Sequence, residues 1–127
     1  MNENDLSRLV VGTAIDIHKK LGPGLLESVY EVVLAHELKA KKLQIERQVR
    51  MPVNYQGLQF DEGFRADLIV ERKVIVELKS MESLSRVHKK QLLTYLRLAD
   101  MRLGLLINFG AEVLRDGLVR VVNGLHE

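Results

Sequence analysis

Apolar residues in the first third of the chain recur at intervals of three and four. Leu6, Leu9, Val10, Ala14, Ile17 and Leu21 fall on one helical face, with Asn4 or Asp5 placed to cap the start. Gly22-Pro23-Gly24 ends this helix and turns the chain. The stripe Leu26, Val29, Tyr30, Val33, Leu34 and Leu38 predicts a second helix over about residues 25–43. Lys39, Lys41 and Lys42 in its last turn complement the helix dipole. The period then drops to two: Ile45, Arg47, Val49, Met51 and Val53 share one face, against Glu46, Gln48, Arg50 and Pro52. Residues 54–57 read as a turn. Residues 64–70 and 74–79 read as two further strands joined by Glu71-Arg72-Lys73. A third helix is expected over 85–100, a short buried strand over 103–109, and a last strand over 119–122 after an Asp116-Gly117 turn. The order predicts an α/β fold, with a mixed central sheet of an antiparallel hairpin plus added strands, flanked by helices.

At 127 residues and 46% apolar, the chain is expected to form a single domain over 1–127. Cysteine is absent, which excludes disulfides, thiolate zinc sites and cysteine catalysis. His36-Glu37 begins like a zincin motif, but Ala40 stands where the second histidine belongs. The polar start MNENDLSR and the lack of any apolar run near ~20 residues lead to the expectation of a cytoplasmic protein with no membrane partner. Net charge is only +2, but it is unevenly spread. Residues 39–102 hold 14 Lys/Arg against 8 Asp/Glu, and the remainder 5 against 9. A basic middle suits a polyanionic partner, although solvated surface lysines would give the same count.

The predicted hairpin concentrates the chemistry. With Glu71-Arg72-Lys73 as its loop, Val70 pairs with Val74, Asp67 comes opposite Glu77, and Arg65 opposite Lys79. Alternation puts Arg65, Asp67, Ile69, Ile75, Glu77 and Lys79 on one face. Phe64, Ala66, Leu68, Val70, Val74, Val76 and Leu78 are left for the core. Two carboxylates directly across an antiparallel pair, with Cβ atoms about 5 Å apart, destabilise the fold. A divalent cation resolves the conflict: Mg²⁺ takes one or two carboxylates and completes its shell with water and substrate phosphate. The competing arrangement is a salt-bridge cluster, Asp67 with Lys79 and Glu77 with Arg65. Glu27 sits one turn inside the second helix, where the dipole alone would favour a carboxylate. On the third helix Gln91 and Tyr95 are neighbours one turn apart, and Arg86, Lys90 and Arg97 form a basic stripe. A Gln91 buried between helix and sheet would need polar partners.

The stretch LGPGLLESVYE, with Gly24, Glu27 and Tyr30, resembles the signature of the GxxExxY proteins, which are similar to the PD-(D/E)XK nuclease superfamily. Asp67 in FRADLIV, Glu77 and Lys79 in VELKS, and Gln91 and Tyr95 in QLLTYL follow that superfamily's order, and LLINFG also looks familial. The resemblance implies a restriction-endonuclease-like core and Mg²⁺-dependent phosphodiester hydrolysis, with Mn²⁺ as a substitute and DNA ahead of RNA as substrate. It implies that Asp67, Glu77 and the Leu78 carbonyl bind the metal, with Glu27 reaching it through water or holding a second ion. Lys79 would orient the attacking water, and Gln91 would hold Lys79 or the water network. Arg65, Arg86, Lys90 and Tyr95 would face nucleic acid. His18, just before the signature, is expected to pack or hydrogen-bond. Little chain remains outside the core, so specificity would come from a homodimer or a partner protein. The alternative is a catalytically silent binding module on the same fold, for nucleic acid or protein.

Overall fold

The computed structural model describes residues 1–126. Two helices open the chain, α1 (Glu3–Leu21) and α2 (Glu27–Ala40). Three strands follow, β1 (Ile45–Tyr55), β2 (Leu58–Val70) and β3 (Val74–Lys79). After them come α3 (Arg86–Ala99), β4 (Leu103–Asn108), a short 3-10 turn (Leu114–Gly117) and β5 (Leu118–Val122). The strands lie in chain order in one sheet. β1, β2 and β3 form an antiparallel meander, β4 runs parallel to β3 through the α3 crossover, and β5 returns antiparallel.

Each face of the sheet has its own core. Leu6 and Val10 of α1 and Leu34 and Leu38 of α2 pack on Leu68, Val76, Leu78 and Ile107. Leu92 and Leu96 of α3 pack on Ala66, Ile69, Ile75 and Leu106. The helix comes close to the sheet at Gly104, where a Cβ would stand 2.9 Å from the Leu92 side chain. β3 is therefore buried on both faces, and its near-continuous apolar sequence follows from that.

The helix ends differ in detail from the sequence expectation. The cap of α1 is Asn2, in a reciprocal capping box with Asp5. α2 stops at Ala40, because Lys42 adopts a left-handed conformation (φ 69) and Leu43 N–H closes back on the Leu38 carbonyl. β2 begins at Leu58, six residues earlier than expected. It forms with β1 a two-stranded ribbon that runs past the region paired with β3.

The largest departure lies inside this ribbon. β1 and β2 keep one register from Ile45↔Val70 to Met51↔Phe64, but no pair forms at Gln48 and Asp67. Gln48 sits at φ 49 there, and both strands roll over together. Ile45 and Leu68 face the α1/α2 core, whereas Val49, Met51 and Ala66 face α3. The alternation read from sequence fails at this point. Ala66 and Phe64 do not join Leu68 in one core, and Val49 and Met51 do not share a face with Ile45.

Candidate active site

The three-residue hairpin loop forms as expected. Glu71 and Arg72 are left-handed (φ 51 and 54), and Lys73 N–H closes on the Val70 carbonyl at 3.0 Å. The register runs Val70↔Val74, Ile69↔Ile75, Leu68↔Val76. One step further the side chain of Asp67 takes over from the ladder: its Oδ2 accepts from Leu78 N–H at 2.8 Å, and its Oδ1 accepts weakly from Gln48 Nε2 at 3.4 Å.

Glu77 is only 8% exposed and lies against Asp67. Burial, then the charge and hydrogen bonding of Asp67, push its carboxyl up to about 9, with Lys79 pulling the other way. Its Oε1 is the one buried side-chain oxygen or nitrogen among the described residues with no hydrogen-bond partner. Lys79 follows at the half-buried end of β3, beside Asn108 of β4. Its ammonium makes no hydrogen bond or ion pair among the described residues, so the competing Asp67–Lys79 bridge is not formed. Tyr95 on α3 stacks on Phe64 with centroids 4.1 Å apart and planes 10° from parallel. Its hydroxyl is made a weaker acid than usual by burial, and then by the charges of Glu77 and Asp67, which places α3 in the field of the acid pair.

This donor set suits a hard divalent cation. Two carboxylates meet, one oxygen is desolvated and unpartnered, and the conflict of charge is relieved only by a proton or a cation. No group of three His, Cys, Asp or Glu able to hold an ion occurs among the described residues, so Glu27 does not join Asp67 and Glu77. Instead it starts α2 and lines a neighbouring cleft with Gly24, Ser28, Ser80, Met81 and Gly110.

The signature residues build the rim of that cleft. Tyr30 stacks on Phe109 at 4.3 Å, while its hydroxyl donates to the Gly22 carbonyl (2.6 Å) and accepts from Leu25 N–H (3.1 Å). Gly24 takes φ 96, which favours glycine, and Ser80 Oγ donates to the Leu25 carbonyl at 2.5 Å. The loop delivering Glu27 is thus tied to the residue after Lys79. Asn108 anchors the other side, accepting from Met81 and Gly110 N–H and donating to the Met81 carbonyl. His18 packs as expected, its Nε2 2.8 Å from the Ala111 carbonyl oxygen.

Two expectations are corrected. Gln91 is exposed and has no hydrogen bond among the described residues, because Leu92 and Leu96 take the buried stripe of α3 and leave it to one side. Arg65 does not lie opposite Lys79 or pair with Glu77. Beyond the roll at Asp67 it stands across from Arg50 of β1 and pairs with Glu62 of its own strand at 2.7 Å. Arg86 and Lys90 are exposed on α3 and are without ion-pair partners among the described residues.

Sequence reasoning did not assign Gln48 or Glu31 to the site. Glu31 is 6% exposed and accepts from Gln48 Nε2 at 2.6 Å and from Arg47 Nε at 3.1 Å. The acid of α2 that connects to Asp67 is therefore Glu31, through Gln48. A register counted from the 54–57 turn would not have found the link, because β2 carries two extra residues between Val53↔Phe60 and Met51↔Phe64.

A five-stranded mixed sheet with helices on both faces, carrying facing acids and a lysine around its central strand, is a restriction-endonuclease-like architecture. A family model described as the PD-(D/E)XK nuclease superfamily matches residues 4–121, and the chain belongs to that superfamily. Neither the comparison with curated proteins nor that with solved structures gave a match.

Proposed function

We propose that this protein is a Mg²⁺-dependent nuclease of the GxxExxY kind, with Mn²⁺ able to substitute, hydrolysing phosphodiester bonds in nucleic acid and in DNA ahead of RNA. The observation that carries the reading is the unpartnered, buried Oε1 of Glu77 beside Asp67 and within the field of Lys79. Structural carboxylates are not left this way for stability.

Asp67 and Glu77 would hold the cation, with the Leu78 carbonyl as a further oxygen. When bound, the cation supplies Lewis acidity toward the phosphate and a water of lowered pKa. Lys79 would orient the attacking water and offset the charge gathering on the phosphoryl oxygens. Glu27, at the mouth of the adjoining cleft, is proposed to act through water and not as a direct ligand, in keeping with its separation from the pair. Gln91, one turn before Tyr95, is free to meet the water network once substrate is present. Tyr95 and the exposed Arg65, Arg86 and Lys90 are proposed to touch nucleic acid.

The test is incubation with end-labelled single-stranded, duplex and branched DNA and with RNA, in Mg²⁺, Mn²⁺ or EDTA. Cleavage that needs the metal and disappears in Asp67→Asn and Glu77→Gln, with nucleic-acid binding retained, is the expected result. Binding without cleavage in every condition would make the protein a binding module on a nuclease fold.

A further inference from the structure

Gln48 has a left-handed backbone (φ 49) in the interior of a strand. The other non-glycine residues with positive φ, namely Lys42, Gln56, Glu71, Arg72 and Asp100, all lie at turns or helix ends. Left-handed backbone is costly for a residue with a Cβ, and such strain persists where the surroundings over-determine it. Glycine would make the same roll of the β1–β2 ladder without that cost. The side chain therefore needs an explanation apart from the roll.

Its amide nitrogen supplies one. Gln48 Nε2 donates to Glu31 Oε1 at 2.6 Å and, more weakly, to Asp67 Oδ1 at 3.4 Å. Glu31 is a fixed anchor: it is buried, and Arg47 grips its other oxygen through Nε at 3.1 Å and Nη2 at 3.0 Å. Leu78 N–H holds the other oxygen of Asp67. Both oxygens of Asp67 thus have a donor, while Glu77 Oε1 has none. The chemistry of the donor matters as well. A lysine or arginine at position 48 would neutralise Asp67 and compete with a cation, whereas a neutral amide orients the carboxylate and leaves its charge intact. Arg47, the adjacent cation, is directed onto Glu31.

We infer that Gln48 is a positioning residue. Its strained backbone aims an amide, anchored on Glu31, that fixes the carboxylate of Asp67 for a divalent cation shared with Glu77. This rests on the metal-dependent reading of the acid pair, and the test keeps the two apart.

Mn²⁺ binding is measured by titration calorimetry, and unfolding in EDTA by thermal melt, for wild type, Gln48→Gly and Glu31→Gln. Gln48→Gly should melt at or above wild type in EDTA, since glycine adopts the same backbone freely. Its Mn²⁺ dissociation constant should nevertheless rise about tenfold or more, as for loss of other outer partners of metal ligands. Glu31→Gln, which keeps the size of the anchor and removes its charge, should shift the constant in the same direction by less. A Gln48→Gly variant that binds Mn²⁺ as tightly as wild type overturns the role of Gln48 alone. So does one that melts far below wild type and loses binding only in proportion to its unfolded fraction. A wild type that shows no Mn²⁺ binding overturns the metal site itself, and this inference with it.

Discussion

At the scale of single residues, Glu77 dominates the behaviour of the metal-free protein. Its carboxyl, ordinarily near 4.5, is pushed up to about 9, first by burial and then by Asp67. Between those values the native state holds a proton that the unfolded chain releases. The contribution of Glu77 to native stability should therefore be complete below that window and be lost as pH rises through it. Melting temperatures in EDTA at pH 5 and pH 8 check this: wild type should lose stability over that step, and Glu77→Gln should lose less. Mg²⁺ should restore stability at pH 8 in wild type, because the cation takes the place of the proton, and should do little for Glu77→Gln. Lys79 opposes the upward shift of Glu77, so Lys79→Ala should move half-maximal Mg²⁺ binding to higher pH. It should also abolish cleavage while a metal-induced rise in melting temperature persists at high pH. Retained turnover in that variant would reduce Lys79 to an electrostatic neighbour.

At the scale of elements, α2 and α3 do different work. The α2 signature is largely a builder of the loop in front of Glu27. Tyr30→Phe leaves the Leu25 N–H and the Gly22 carbonyl without their hydroxyl partner, and should cost about 1–3 kcal/mol in denaturant unfolding. On α3, Arg86 and Lys90 stand exposed and unpaired among the described residues, as a phosphate-contacting surface requires. Replacing both by alanine should flatten the salt dependence of log K for nucleic acid by up to about 2 units. An unchanged slope would move the contact surface to the Arg47 and Arg50 strand. Helices, strands and the 71–73 hairpin were legible in the sequence because period and loop length fix them locally. That legibility ended at Gln48. A roll that flips both strands at one residue leaves the apolar spacing on either side of it unchanged in kind, and no periodicity records it. The exposure of Gln91 escaped for a similar reason: i, i+4 spacing says that two residues share a face, not which face the sheet covers.

Across the whole molecule, the charge asymmetry, the acid pair and its order along the chain were readable. The separation of Glu27 from that pair was not, because it follows from how α2 is seated on the end of β3. No described helix is long and apolar enough to cross a membrane. One consequence of the topology concerns timing. Every proposed site residue precedes Leu96, yet β3, which carries Glu77 and Lys79, pairs with β4 along all six of its residues and with β2 along only three. A nascent chain that has exposed its whole active-site sequence should therefore remain inert until residues 103–108 have also emerged and docked. A fragment of residues 1–101 holds all the proposed ligands and should show no Mn²⁺ binding. Adding the missing segment, residues 102–127, as a separate peptide should restore it, and binding by the short fragment alone would show that the hairpin suffices.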